Sequence, residues 1–154
     1  MHPNAVRVQE ALRRAGSTAE VRELADSTHT AAQAAAALGV ELGAIVKSLV
    51  FVADGRPVLL LVSGDRSADT DKVAGAIGAE RVERADADTV RRATGLPIGG
   101  VAPVGHPAPL PTLVDTALER FGVVWAAAGT PRAVFPTTFT ELVSVTSGQA
   151  ADLG

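Results

Sequence analysis

The chain has no cysteine among its 154 residues. That absence excludes a disulfide framework, a thiolate nucleophile and any Cys-based metal site. Aromatic residues make up only 3%, too few for the stacking platforms of an RRM-like or multi-base single-strand binder. Positive charge is also scarce. The formal net charge is −3, which argues against a broad electrostatic nucleic-acid surface while leaving room for a local basic pocket. No apolar run reaches membrane-spanning length, and the N-terminal MHPNAVRV lacks a charged-then-apolar signal pattern. The expectation is therefore a cytoplasmic protein that makes no membrane contact. His2, His29 and His106 have no helical spacing suited to zinc, so neither metal nor cofactor is assigned.

What remains is ordinary for a globular protein: 47% apolar and 20% charged residues. With few aromatics the core must be Ala, Val and Leu. A single domain over residues 1–154 is expected, long enough to bury a core without metals or disulfides. No internal repeat or linker divides it, and no oligomeric state is assigned.

The stretch Ala44 to Gly64 reads as a β-hairpin. Leu49–Val52 and Val58–Val62 are apolar runs, and Asp54-Gly55 between them is a strong turn signal. Near-continuous apolar character predicts central strands covered on both faces. Lys47 stands at the mouth of the first strand, where its ammonium must reach solvent, a carboxylate or an anionic ligand.

Around the hairpin the pattern predicts several short elements. Pro3 to Ala15 is an amphipathic helix, with Pro3 in its first turn and Gly16 as its stop. Ala19 to Leu24 is a strand candidate. Asp26, Ser27 and Thr28 offer N-caps for an alanine-rich helix through Leu38, with His29 and Thr30 at its start. Asp69 caps a helix over Thr70–Ile77, Arg81–Arg84 is a short strand, and Asp86 caps a helix through Ala93. Thr112–Val114, Val123–Ala127 and Ala133–Phe135 are further strands. Asp115 caps a short helix ending near Phe121, and Thr137 or Thr138 caps one through Val143. The tail from Gly148 to Gly154 is expected at the surface. Glu83, Asp86 and Asp88 are capping or solvated groups with no chemistry assigned.

Leu96 to Pro111, LPIGGVAPVGHPAPLP, holds three glycines and five prolines in sixteen residues. It cannot be a regular helix or a central strand. Ile98, Val101 and Val104 can anchor it to a core, so a rigid loop with closely approached backbone is predicted. Gly99 and Gly100 leave their amides unobstructed. His106 follows as an exposed loop histidine, a secondary candidate at the pocket mouth.

Familiar catalytic motifs are missing. GAIVKS, Gly43 to Ser48, has Val46 where a phosphate loop needs glycine before its lysine. GGVAPVG is not GxGxxG and opens no helix. Ser63 lacks the nucleophile-elbow pattern. Chemistry here would rest on backbone dipoles, positioning, water and the substrate itself.

In order along the chain stand AAAALGV (Ala34–Val40), IVKSLVF (Ile45–Phe51), VSGD (Val62–Asp65), DKVAGAIGAERV (Asp71–Val82), TGLPIGGVAPVGH (Thr94–His106), LPTLVD (Leu110–Asp115) and AAGTP (Ala127–Pro131). These segments resemble the YbaK/EbsC family, which includes the editing domain inserted in bacterial prolyl-tRNA synthetases. The specific part of the match is a lysine followed about fifty residues later by TGxxIGGVxPxG. The resemblance implies a mixed α/β (α+β) fold built on a curved, largely antiparallel sheet or partial barrel flanked by short helices. It implies hydrolysis, in trans, of the ester of mischarged aminoacyl-tRNA, tRNA-Pro in particular, with the CCA end as the bound partner and prolyl-tRNA synthetase as a further one.

By the same resemblance Lys47 engages the phosphate of the terminal adenosine and orients the ester. Gly99 and Gly100 open the loop Gly99–Pro103, whose backbone frames the aminoacyl carbonyl, so Val101, Ala102 and Pro103 join the substrate-binding set. Ser48 occupies a position that bears on which amino acid is accepted, and Thr30, Ser63, His106 and Gly129 complete the expected site. One departure stands out. Cysteinyl-tRNA deacylases of the family carry Ser and Asp where this chain has Ala127 and Val134, so that end of the pocket is expected to be apolar. The lost pair motivates an alternative, a non-catalytic module that binds aminoacyl-tRNA or a synthetase. A third reading is a small-molecule or nucleotide-binding protein using the same pocket.

Overall fold

The computed structural model describes residues 1–154. In chain order the elements are α1 (Pro3–Arg14), β1 (Arg22–Glu23), α2 (Ala31–Leu38), β2 (Val46–Ala53), β3 (Arg56–Ser63), α3 (Thr70–Ile77), β4 (Val82–Arg84), α4 (Ala87–Thr94), β5 (Thr112–Asp115), β6 (Val124–Ala127), β7 (Ala133–Thr137), α5 (Phe139–Thr146) and β8 (Gln149–Ala151). Short 3-10 turns cover Leu42–Ala44, Ile98–Gly100 and Thr116–Arg120.

The β2–β3 hairpin pairs without a break from Val46↔Ser63 to Ala53↔Arg56. Asp54 and Gly55 both have positive φ, 49° and 84°, the two-residue geometry whose twist matches that of the flanking strands. The Asp54 carboxylate also accepts the amides of Glu80 and Arg81, so the turn is tied to the α3–β4 connection. Side chains alternate between two cores. Val46, Val50, Leu59 and Leu61 face a large core with Val8 and Leu12 of α1. Phe51, Val58, Leu60 and Val62 face a second core with Val73 of α3 and Leu153. Both faces are covered, which is why the two strands read as near-continuous apolar runs.

The strands form two sheets, ordered β4-β2-β3-β5-β8 and β1-β7-β6. Pairings are antiparallel except β3–β5 and β5–β8. An isolated parallel bridge between Ile45 and Trp125 joins the small sheet to the start of β2. The result is the mixed α/β fold with largely antiparallel strands that the sequence predicts.

Four local expectations are corrected. The tail lies only partly on the surface: Gln149, Ala150 and Asp152 are exposed, but it is tied into the fold. β8 pairs with β5 and Leu153 is fully buried, because the second core needs an apolar side chain beside Val73. β1 shrinks to two residues, since only Arg22 and Glu23 find partners on β7. α2 starts later than Asp26–Thr28 would place it. Thr30 is its cap, accepting the Gln33 amide at 3.1 Å, while the Gln33 side chain accepts the His29 amide at 2.7 Å. That reciprocal pair is close to a capping box. Lastly, Ile98 does not anchor its loop. It is 63% exposed, and of the three predicted anchors only Val101 and Val104 are buried.

Candidate functional site

A cavity of about 310 Å³ opens at the seam between the two sheets. Its walls come from four segments: Thr28–Ala31 with α2, the first residues of β2, the loop from Ile98 to Val101, and the β6–β7 hairpin. The rim is stapled across the seam. Thr28 donates its amide to Pro131 O at 2.8 Å, and its hydroxyl to the same oxygen at 3.1 Å. Arg132 donates to the carbonyls of Leu24 and Ala25. Thr28 thus ties the approach to α2 to the β6–β7 turn on this side of the cavity.

The lining is mostly apolar. Ala127 and Val134 both belong to it, with Ala126, Ala133 and Trp125 beside them. The polar groups are few: Thr28, His29, Thr30, Lys47, Ser48 and Thr130. The Ser48 hydroxyl is buried without a hydrogen-bond partner. An unpaired buried hydroxyl is costly, on the order of 1–3 kcal/mol, and marks a place where a polar group of an occupant would be stabilised.

Lys47 lines the same cavity, and its ammonium donates to the Arg66 carbonyl. Burial, and then the positive charge of Arg84, hold its pKa below the ordinary lysine value, while Asp65 and Asp115 pull it back up. Two of its three donor hydrogens remain for other acceptors.

The two glycines of the loop part company. Gly99 lines the cavity, and a Cβ there would meet only Pro131 Cγ, at 3.6 Å. Gly100 lies behind it. A Cβ there would sit 2.8 Å from backbone atoms of Gly129 and Thr130. Its amide is also committed, donating to Pro97 O at 2.9 Å. In such a turn the first amides have no partner within the turn, so Ile98 and Gly99 carry the free donors.

A sequence profile of the aminoacyl-tRNA editing domain matches residues 25–145. The chain belongs to the aminoacyl-tRNA editing domain family. A proline–tRNA ligase of Nitratidesulfovibrio vulgaris strain DP4 is 42% identical over 91 residues, 59% of this chain and 16% of the ligase. One from Geobacter sp. strain M21 is 41% identical over 85 residues, 55% of this chain and 15% of that ligase. The chain thus corresponds to a small part of the ligases it matches. A crystal structure of a proposed trans-editing enzyme for prolyl tRNA synthetase superposes with a TM-score of 0.93 at 47% identity, over 99% of this chain and 98% of that one.

Within this editing domain the expected site residues fall into two groups. Thr30, Lys47, Ser48, Gly99 and Val101 meet at the cavity. Gly100, Ser63, Ala102, Pro103, His106 and Gly129 do not line it. Ser63 is fully buried at the far end of β3. Its hydroxyl donates to Gly43 O at 2.6 Å and accepts from Arg120 at 2.9 Å. Ala102 is wholly in the large core. Pro103 and His106 face a different depression beside α1 and α5. His106 Nε2 pairs with Ala102 O at 2.8 Å, and burial, ahead of the charge of Arg7, depresses its pKa despite that bond. Gly129, at φ 97°, lets the β6–β7 turn pack on Asn4, whose side-chain amide donates to Gly129 O at 3.2 Å. It and Gly100 shape the site from behind.

Sequence reasoning passed over Trp125, Pro131, His29 as a wall residue, and Ile98 at the mouth. Trp125 had a signal, being the only tryptophan of a chain poor in aromatics. The guanidinium of Arg22 lies 5.1 Å from its ring centroid, a cation–π contact that braces this wall. The others carry no local signal. No cluster of three or more His, Asp or Glu side chains stands together to hold a metal ion, and no helix is long and apolar enough to cross a membrane.

Proposed function

We propose that this editing domain hydrolyses, in trans, the ester between a small amino acid and the terminal adenosine of a mischarged tRNA, tRNA-Pro foremost. The observation that carries the reading is that one apolar cavity is bordered by both Gly99 and Lys47. A volume of about 310 Å³ is at the lower end for small-molecule pockets. It suits an amino acid and the edge of a ribose. The similarity to proline–tRNA ligases supports the choice of tRNA.

In this mechanism the amino-acid side chain enters the apolar chamber between Ala127, Val134 and Trp125. The Gly99 amide donates to the ester carbonyl oxygen as negative charge develops on it, a stabilisation of about 2.7–4 kcal/mol for one well-placed donor. Lys47 binds the adenosine phosphate and holds the ester against the loop. Water adds to the carbonyl carbon, the bond to the ribose oxygen breaks, and the proton lost by water ends on that oxygen. The products are a free amino acid and an uncharged tRNA end. Positioning and backbone electrostatics supply the acceleration. Hydrolytic editing serves synthetases that cannot exclude small or near-isosteric amino acids by binding alone.

Single-turnover deacylation with a panel of mischarged tRNAs tests this reading. Rapid ester loss is expected with small amino acids on tRNA-Pro. Ester loss no faster than in buffer across the panel overturns catalysis and leaves the binding module, which the apolar Ala127 and Val134 would then favour. Lys47→Ala is expected to slow deacylation about tenfold to a hundredfold, since a charged hydrogen bond contributes roughly 1.5–3 kcal/mol, with circular dichroism unchanged.

A further inference from the structure

At the open end of the hairpin, opposite its tight turn, Arg66 gathers three acceptors from separate parts of the chain. Its guanidinium donates to Asp115 Oδ1 at 3.2 Å, to Asp152 Oδ1 at 2.6 Å and to the Gly154 carbonyl at 2.6 Å. Asp115 is fully buried at the end of β5. Its carboxylate also accepts the amides of Ser63 at 3.1 Å and Ala117 at 3.2 Å. The segment from Ser63 to Arg66 is therefore pinned at one end by its backbone and at the other by its side chain. The Arg66 carbonyl within this pinned segment takes the ammonium of Lys47.

We propose that Arg66 is a positioning residue for Lys47, held in place by Asp115 and the segment Asp152–Gly154 after β8. This inference rests on the editing reading, in which Lys47 touches substrate. A lysine on a flexible four-carbon stem samples many rotamers, and ordering it costs up to about 2 kcal/mol. A fixed carbonyl covers that cost before substrate arrives. It also leaves two ammonium hydrogens for the phosphate. None of the Arg66 guanidinium contacts is local in sequence. Asp115 is 49 residues away and Asp152 is 86.

Two lysines occur in the chain, Lys47 and Lys72, so a protein labelled at lysine side-chain carbons gives two resolvable signals. Arg66→Gln and, as a milder surface change, Asp152→Asn are compared with the parent for deacylation and for Lys47 side-chain mobility by carbon relaxation. Arg66→Gln is expected to raise Lys47 mobility and to lower kcat/KM about tenfold, the scale of one such hydrogen bond. Asp152→Asn should do both to a smaller degree. In a Lys47→Ala background Arg66→Gln should cost nothing further, the non-additivity of residues acting through one another. An equal loss in both backgrounds would show a merely structural residue and overturn the proposal. So would unchanged Lys47 mobility in a folded Arg66→Gln protein. If the parent cleaves no ester, the editing reading falls, and the relaxation measurement still decides whether Arg66 holds Lys47.

Discussion

The two ends of the β2–β3 hairpin are finished by different means. At the closed end, Asp54 and Gly55 make the turn with their own backbone preferences, and the Asp54 carboxylate is satisfied by the neighbouring connection. At the open end most of the polar contacts are distant in sequence. Lys47 reaches Arg66, Ser63 reaches Gly43 and Asp115, and Arg66 reaches the chain's last residues. The closed end has no cavity wall of the site, whereas the open end borders the candidate active site. The turn is built for economy of loop closure, and the open end is built to hold polar groups at fixed positions beside an apolar chamber.

The comparison breaks most violently at Asp115. Asp115→Ala removes a carboxylate that serves the backbone amides of Ser63, Ala117 and Leu153 as well as Arg66, leaving them without it in a buried site. A loss of about 3–5 kcal/mol is expected for breaking such a buried pair, read as a lower midpoint in urea denaturation.

Next comes the contrast between adjacent glycines. Gly99→Ala has room for its methyl and lacks a positive φ to strain. It should fold normally and cut deacylation about a hundredfold by obstructing the donor. Gly100→Ala drives a methyl into the Gly129–Thr130 backbone. It should lower the melting temperature as well as the rate. Equal melting temperatures for the two variants would show that the loop does not lean on the β6–β7 turn.

At the closed end the effect should be smaller and confined to stability. Asp54→Ala forfeits the bonds to Glu80 and Arg81 and puts alanine at φ 49°. The expected cost is about 1–2 kcal/mol, with kcat/KM unchanged.

The smallest expected effect is a pH dependence from His106. Its folded pKa lies below the unfolded value because burial disfavours the imidazolium. The unfolded chain therefore binds more protons in that range, and stability rises with pH. The contribution is complete above about pH 6.5, the unfolded value, and is lost as pH falls below it. His106→Gln should flatten the melting-temperature profile between neutral and mildly acidic pH.

Much of the fold was legible because its signals are local. The Asp54-Gly55 turn, the apolar runs flanking it, Pro3 at a helix start, and the caps Asp69 and Asp86 each act within a few residues. The candidate site was legible in part. Lys47, Ser48 and Gly99 could be picked out because the resemblance aligned them. Ser63 and His106 also stood in matched motifs, yet hydrogen bonds hold Ser63 in the interior and turn His106 onto the Ala102 carbonyl, away from the cavity.

By itself the sequence determined the hairpin, the starts of α1, α3 and α4, the irregular loop and the absence of thiol chemistry. Those follow from dihedral preferences and side-chain inventory, which need no distant partner. Tertiary structure alone decided that Gly99 faces the cavity while Gly100 faces the β6–β7 turn, that Ile98 is exposed, that Trp125 forms a wall, and that Arg66 holds Lys47. Each of these depends on which segment packs against which, and such contacts are made between residues tens of positions apart, where no local preference reports them.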